Sequence, residues 1–295
     1  MKNYKSTTFM LAFVLLFIVA AAIAADGPQL KFKFTQNNVP GAQQTFAYGI
    51  NNAGVTVGQY EDTSGIWHGY ILNAKKKLTT LDDPKGSNTM AVDLPYNGVI
   101  PVVGRYTNSA GAYVAFRYKK GQFTDIPGPT GATASEAIGI NDKGEIVGWY
   151  EDSSYQYHGF LLQGTNYTTL DVPGAARTYA AGINNKGHIV LYWYNSGGVA
   201  HSSLYKDNKY IPIDVPKAKN SIAEGINNEG DVAFWYGGNF ACGYSALLHG
   251  GEYYKFNYPK ARTSYAEGIN DKHTISGSYA AENCAGPYWG YKATY

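Results

Sequence analysis

The phrase Gly139-Ile140-Asn141-Asp142-Lys143-Gly144 recurs along this chain at a nearly fixed interval. It stands earlier as Gly49-Ile50-Asn51-Asn52-Ala53-Gly54. It returns as Gly182-Ile183-Asn184-Asn185-Lys186-Gly187, Gly225-Ile226-Asn227-Asn228-Glu229-Gly230 and Gly268-Ile269-Asn270-Asp271. A worn copy, Asp93-Leu94-Pro95-Tyr96-Asn97-Gly98, completes the series, and the steps between copies are 44, 46, 43, 43 and 43 residues. A second marker keeps the same beat. An Asp or Asn stands two residues before a Pro at Asn38, Asp82, Asp125, Asp171, Asp214 and Asn257. Periods of this length belong to repeat architectures, whose units bury their apolar faces against one another.

The pattern inside one unit decides which architecture. In the third unit Ser135–Asn141 reads as a strand, Asp142-Lys143-Gly144 as a turn, and Glu145–Tyr150 as a second strand. A polar loop leads to a third strand, Tyr157–Gln163, and Gly164-Thr165 turns into a fourth, Asn166–Val172. No segment carries a helical period with caps. Four strands per unit of about 43 residues is the blade of a β-propeller, whereas solenoid repeats are shorter. The expected fold is therefore all-β: a six-bladed propeller with four strands per blade. Gln29–Asn38 has the phase of a fourth strand, and the chain ends at Tyr288–Tyr295 in the phase of a third. The N-terminal strand is expected to complete the last blade and leave no open edge.

Composition fits this fold. Charged residues are 16% of the 295, while Gly and Tyr number 35 and 27, a turn-rich and aromatic profile unlike that of a disordered chain. The first 24 residues differ in kind. Lys2 and Lys5 precede an apolar run from Phe9 to Ala22, and Ala22-Ile23-Ala24 offers a cleavage site. This reads as a signal peptide over 1–24, leaving 25–295 as a single six-repeat domain. The run is shorter than the roughly 20 residues that span a bilayer, so an uncleaved anchor is the weaker alternative. Cleavage leaves 22 basic and 22 acidic residues. That balance argues against nucleic acid as a partner. The mature chain has no further stretch able to cross a membrane, and it is expected to be secreted or periplasmic. In such a compartment Cys242 and Cys284, 42 residues apart in adjacent units, are expected to bridge, with two buried thiols as the alternative.

The consensus Gly-Ile-Asn-Asn-x-Gly-x-Ile-Val-Gly-x-Tyr, His-Gly-Phe-Leu, Tyr-Thr-Thr-Leu-Asp-Val-Pro-Gly-Ala resembles the extracellular HAF-repeat family. The best copies lie at Gly139–Tyr150, His158–Leu161 and Tyr167–Ala175. The resemblance covers nearly all of the mature chain and departs in the second unit, at Pro95 and Val114. It implies an exported bacterial repeat protein and carries no catalytic residues.

Candidate functional residues are few. The Asp/Asn-x-Pro set and the Asn of Gly-Ile-Asn occur once per unit, which marks them as structural. His68, His158 and His201 share one repeat position, so a propeller separates them too widely to ligate one metal ion. Glu61-Asp62 and Glu151-Asp152 follow second strands. Paired carboxylates suit glycosidase chemistry, but their repetition points to loop capping. Nothing suggests a cofactor, and no catalytic residue is assigned.

The aromatic load exceeds what a scaffold needs. Trp67, Tyr155, Tyr157, Tyr179, Tyr194, Trp235 and Tyr236 fall near loops that emerge on one face. Trp67, His68, Tyr157 and His158, with the two acidic pairs, are thus the candidate ligand-binding set. Tyr48, Glu224 and Glu267 occupy one innermost-strand position and are expected to line the central channel. The expected function is non-enzymatic binding of a neutral glycan or of a protein. A glycan-cleaving hydrolase or lyase and a structural envelope protein are the alternatives, since a fold does not fix a function.

Overall fold

The structure is a computed structural model and describes residues 30–239 and 242–295. The stretch read as a signal peptide lies outside the described residues. Among these residues the regular elements are twenty-four strands in six four-stranded antiparallel sheets. The first blade comprises Gln44–Ile50, Thr56–Glu61, Trp67–Leu72 and Leu78–Leu81. The second comprises Gly86–Asp93, Val102–Asn108, Tyr113–Lys119 and Gln122–Asp125. The third comprises Ala134–Ile140, Ile146–Glu151, Tyr157–Gln163 and Asn166–Leu170. The fourth comprises Arg177–Ile183, Ile189–Tyr194, Ala200–Lys206 and Lys209–Pro212. The fifth comprises Asn220–Ile226, Val232–Asn239, Cys242–His249 and Glu252–Phe256. The sixth comprises Thr263–Ile269, Thr274–Ala280, Trp289–Thr294 and, from the start of the chain, Lys33–Gln36. The chain thus forms a six-bladed propeller whose last blade is closed by its N-terminal strand. Lys33 pairs with Thr294 and Gln36 with Tyr291. No helix among the described residues is long and apolar enough to cross a membrane.

The core lies between the blades. Phe116, Phe160, Leu191 and Phe234 are fully buried in it. Burying such a side chain contributes about 1.5–3 kcal/mol. The Gly of Gly-Ile-Asn is fixed by the crowding of inner strands around the axis. A Cβ on Gly139 would stand 2.8 Å from the Ala181 carbonyl oxygen of the next blade. The Asn that follows does two jobs. Its Oδ1 accepts from two backbone N–H groups of its own turn, as Asn184 does from Lys186 and His188, both at 3.0 Å. Its Nδ2 donates to the next blade: Asn141 to Asn184 O, Asn184 to Asn227 O, Asn227 to Asn270 O, and Asn270 to Asn51 O.

The second Asx of the phrase builds an outer ring on the same face. Asn52, Asn97, Asp142, Asn185, Asn228 and Asp271 are joined neighbour to neighbour by hydrogen bonds that return to Asn52. Asn97 takes the second-Asx place in the worn unit, so Tyr96 is the additional residue there.

Cys242 and Cys284 form a disulfide between the fifth and sixth blades, with Cα atoms 5.2 Å apart. The alternative of two free thiols falls.

Candidate functional site

The innermost strands converge on an axial pit of about 180 Å³. Tyr48, Val92, Ile138, Ala181, Glu224 and Glu267, the six equivalent positions read from the repeat, all line it. Tyr96 closes one end. From the second blade it crosses the axis, and its hydroxyl donates to the Ile183 carbonyl (3.3 Å) and to that of Ile226 in the fourth and fifth blades. The worn repeat is therefore a plug. Its longer step supplies the residue that blocks the channel at the face of the Asn ring. The mouth opens on the opposite face, beside the loops between second and third strands.

Aromatic rings form two arcs that reach the pit through Tyr192, which lines it, and through the Trp149 and Trp235 indoles, which bond its carboxyls. One runs Trp235–Tyr265–Tyr288–Phe46–Trp67, with centroid spacings of 5.4, 6.1, 4.8 and 5.8 Å. The other runs Tyr113–Trp149–Tyr157–Tyr179–Tyr192, with spacings of 6.3, 5.2, 5.7 and 4.7 Å. Trp67 and Tyr157, singled out from the sequence, belong to these arcs. Tyr155 is instead a loop-tip residue, 75% exposed, and Tyr236 packs beside Tyr244 under the Lys255 ammonium.

Four carboxyl groups line the pit: Asp93, whose Oδ2 accepts from the Ile140 N–H at 2.9 Å and which burial raises to about 7, and three glutamates. Glu136 bonds the Arg105 guanidinium (3.2 Å) and the Trp149 indole N–H (3.1 Å), and Arg105 in turn lies 3.8 Å over the Tyr113 ring. Glu224 accepts from the Trp235 indole N–H at 3.0 Å. Both Glu224 and Glu267 are half-exposed to the lumen, but the lumen is narrow and shut at one end, so bulk water solvates them poorly. Burial, reinforced by the neighbouring Glu267, pushes Glu224 well above the usual carboxylate range. Burial likewise raises Glu267 to about 7. Glu136 is raised by burial, against the opposing pull of Arg105 and Trp149. Near neutral pH the pit thus holds carboxyls that both donate and accept hydrogen bonds, together with one internally neutralised ion pair.

Sequence reasoning missed Glu136 because it sits two residues before the repeat position occupied by Glu224 and Glu267. It also missed Tyr96, whose unit looked merely degraded. The step of 46 residues was the available signal.

The outer candidates are placed differently. His68 Nδ1 lies 2.8 Å from Asp82 and stacks on Tyr60, and His158 Nδ1 lies 2.8 Å from Asp171 and stacks on Tyr150. His201 repeats the arrangement with Asp214 and Trp193. Asp62 and Asp152 cap their loops through the N–H groups of Ser64 and Ile66, and of Ser154 and Gln156. Glu61 accepts from Gln44, and Glu151 from Thr133. These residues are engaged in holding strands and loops within their own blades, apart from the axial pit.

No family model matches the chain, and no curated protein matches it. Solved structures do. TolB from Acinetobacter baumannii is 9% identical, with a TM-score of 0.54 over 85% of this chain; the chain spans 63% of that protein's length. AofleA from Arthrobotrys oligospora is 12% identical, with a TM-score of 0.54 over 85% of this chain and 84% of its own. The SapL1 lectin, solved in complex with alpha methyl fucoside, is 10% identical, with a TM-score of 0.54 over 83% of this chain and 91% of its own. Likeness at these identities establishes the fold.

Proposed function

We propose that this protein is an exported carbohydrate-binding propeller, and that the axial pit takes one sugar residue of a neutral glycan. The observation that carries the reading is the combination of aromatic rings with carboxyls that burial shifts toward the protonated form. Aromatic faces pack against the C–H faces of sugar rings, and carboxyls exchange hydrogen bonds with hydroxyls. The pit, at about 180 Å³, lies below the roughly 300 Å³ of pockets for drug-sized ligands, which suits a single ring rather than a long chain. The fold is shared with SapL1, which was solved with a fucoside, so methyl fucoside is a reasonable first probe. The disulfide fits an oxidising compartment, in keeping with residues 1–24 acting as a cleaved signal and with the HAF-repeat resemblance.

The test is a neutral glycan array probed with the mature protein, followed by calorimetry on any hit. Trp235→Ala and Tyr192→Ala should each weaken binding about tenfold or more, at an affinity insensitive to salt. Absence of binding across the array, or a steep salt dependence, would overturn the reading.

One observation favours a second reading, glycan cleavage. Glu136, Glu224 and Glu267 are not repeated in every blade, and they converge on one pit, as unique acids do in an enzyme. Hydrolysis of a bound glycan that is lost in Glu267→Gln while binding survives would establish it.

A further inference from the structure

We propose a divalent transition-metal site of the zinc class on the face opposite the pit mouth, formed by Glu229, Asp231 and His273 at the junction of the fifth and sixth blades. It does not rest on the sugar-binding reading. One ligand atom from each of these residues lies within 4.8 Å of the others. His273 Nε2 and Glu229 Oε2 are 3.0 Å apart. Nitrogen and carboxylate oxygens at this spacing suit zinc, whose ligands stand about 2.0–2.2 Å from the ion and hence roughly 3.3 Å from each other. Glu229 and His273 are the exposed members, with side chains 55% and 38% accessible, so rotamer changes there can close the remaining distance.

Glu229 and His273 depart from the repeat. The turn position of Glu229 is Lys in three other units, at Lys143, Lys186 and Lys272. The position of Asp231 is Val55, His188 and Thr274 in three others and Glu145 in the third unit, where the carboxylate likewise bonds the Asn of the turn. The position of His273 is Gly54, Gly144, Gly187 and Gly230 in the complete units, all with φ between 72° and 98°. His273 adopts φ 54° there, a left-handed conformation that a glycine would take without strain. Two departures, Glu229 and His273, that converge in space with Asp231 on a mixed nitrogen and oxygen donor set are what a site added to a repeat scaffold would leave.

The surroundings hold the buried ligand in place. Asp231, with a side chain only 6% exposed, accepts from His249 Nδ1 (2.8 Å), the Tyr295 hydroxyl (2.8 Å) and Asn227 Nδ2 (3.1 Å). A carboxylate offers about four lone-pair positions, so one remains for an ion. The Tyr295 ring stacks on His273 at 5.0 Å and fixes the plane of the imidazole. Such supporting hydrogen bonds and packing orient metal ligands in general. On binding, the His273 Nε2 proton moves to Nδ1 or to solvent, and its lone pair turns from Glu229 to the ion. The site would bridge the same two blades as the disulfide, on the opposite face.

Chelator-treated mature protein is titrated calorimetrically with ZnCl2, and with Co²⁺ to read ligand-field absorption. His273→Gly restores the residue the other turns use, so it keeps the fold and should leave the metal-free melting temperature unchanged or higher. Glu229→Lys likewise restores the repeat. The expected result is one equivalent bound by the parent and a melting temperature raised by zinc, with affinity at least about tenfold weaker in both variants. No binding by the parent up to about 1 mM zinc, or equal binding by His273→Gly, would overturn the proposal.

Discussion

His158 Nδ1 lies 2.8 Å from a carboxylate oxygen of Asp171. The contact ties the start of a third strand to the residue just after the fourth, and it joins two sequence markers that look independent. The His of His-Gly-Phe-Leu and the Asp of Asp-x-Pro are two ends of one bond. His68 with Asp82 and His201 with Asp214 repeat it. Where the His is missing, Asp125 takes Lys85 at 2.9 Å and Asn257 takes the Ser245 N–H at 3.2 Å, whereas the Asn38 Oδ1 is buried without a partner.

The pairing makes stability depend on pH in a defined direction. Burial alone would lower the His68 pKa, but its bonds to Asp82 and Asp62 outweigh that, and the net shift is upward. A raised folded-state value stabilises the protein below about pH 6.5, and the contribution is lost as pH rises through the folded pKa. Asp62 is shifted downward, first by its bond from the Ile66 N–H, and its contribution is lost only as pH falls below the usual carboxylate range. Unfolding midpoints of the parent should therefore fall between pH 6 and 8 by more than those of His68→Ala. Identical slopes would refute the assignment.

The architecture was legible because identical residues face identical problems in every blade. Gly139 meets Ala181 of the next blade just as Gly182 meets Glu224. Six copies of one solution reveal the period, the strand count and the phase of the closing strand. The pit was legible only in part. Glu224 and Glu267 stand at a repeat position, so their place on the axis could be read. Glu136 stands outside it, and Tyr96 acts from the unit that breaks the pattern. A repeat reveals what is common to the blades, whereas a site is made by what differs between them. The outer histidines show the converse: repetition at His68, His158 and His201 marked a strand clamp.

Tyr96 should be worth more than an ordinary buried tyrosine, because it links blades on opposite sides of the ring. Tyr96→Phe removes its two carbonyl contacts and should cost about 1 kcal/mol. Tyr96→Ala also empties the plug and should cost about 3–5 kcal/mol. Denaturant unfolding of the two variants measures the difference, and equal small losses would show that the plug does not brace the ring.

Glu267 should act as a pH-dependent liability. Burial raises its pKa from 4.5 to about 7. Between those values the folded state binds more protons than the unfolded chain, so stability falls as pH rises through this window and levels off above it. Glu267→Gln keeps the hydrogen-bonding shape and removes the ionisation. The variant should match the parent near pH 4.5 and exceed it at pH 8 in thermal unfolding. A variant less stable at pH 8 would mean that the ionised carboxylate is held by a favourable partner.

The Cys242–Cys284 bridge should matter more than its surface position suggests. It joins the fifth blade to the sixth, and the sixth is the blade assembled from both ends of the repeat domain. Without the bridge, the sixth blade is held by Lys33–Gln36 pairing on Trp289–Thr294 and by packing of its other strands against its neighbours. In the chain-entropy model, closing a loop of 42 residues stabilises the folded state by about 4 kcal/mol at 25 °C. Cys242 opens its strand and Cys284 lies in the loop before Trp289, so their removal leaves the interior packing of Tyr291 and Ala293 intact. Cys242→Ala with Cys284→Ala should therefore yield a folded protein with unchanged far-ultraviolet circular dichroism and a melting temperature lowered by several degrees. Hydrogen exchange should quicken first in Lys33–Gln36 and Trp289–Thr294, because the closing pair of strands then opens without tearing a covalent link. Uniform quickening across all six blades would instead mean that the ring unfolds as one unit and that the bridge acts on the unfolded chain alone.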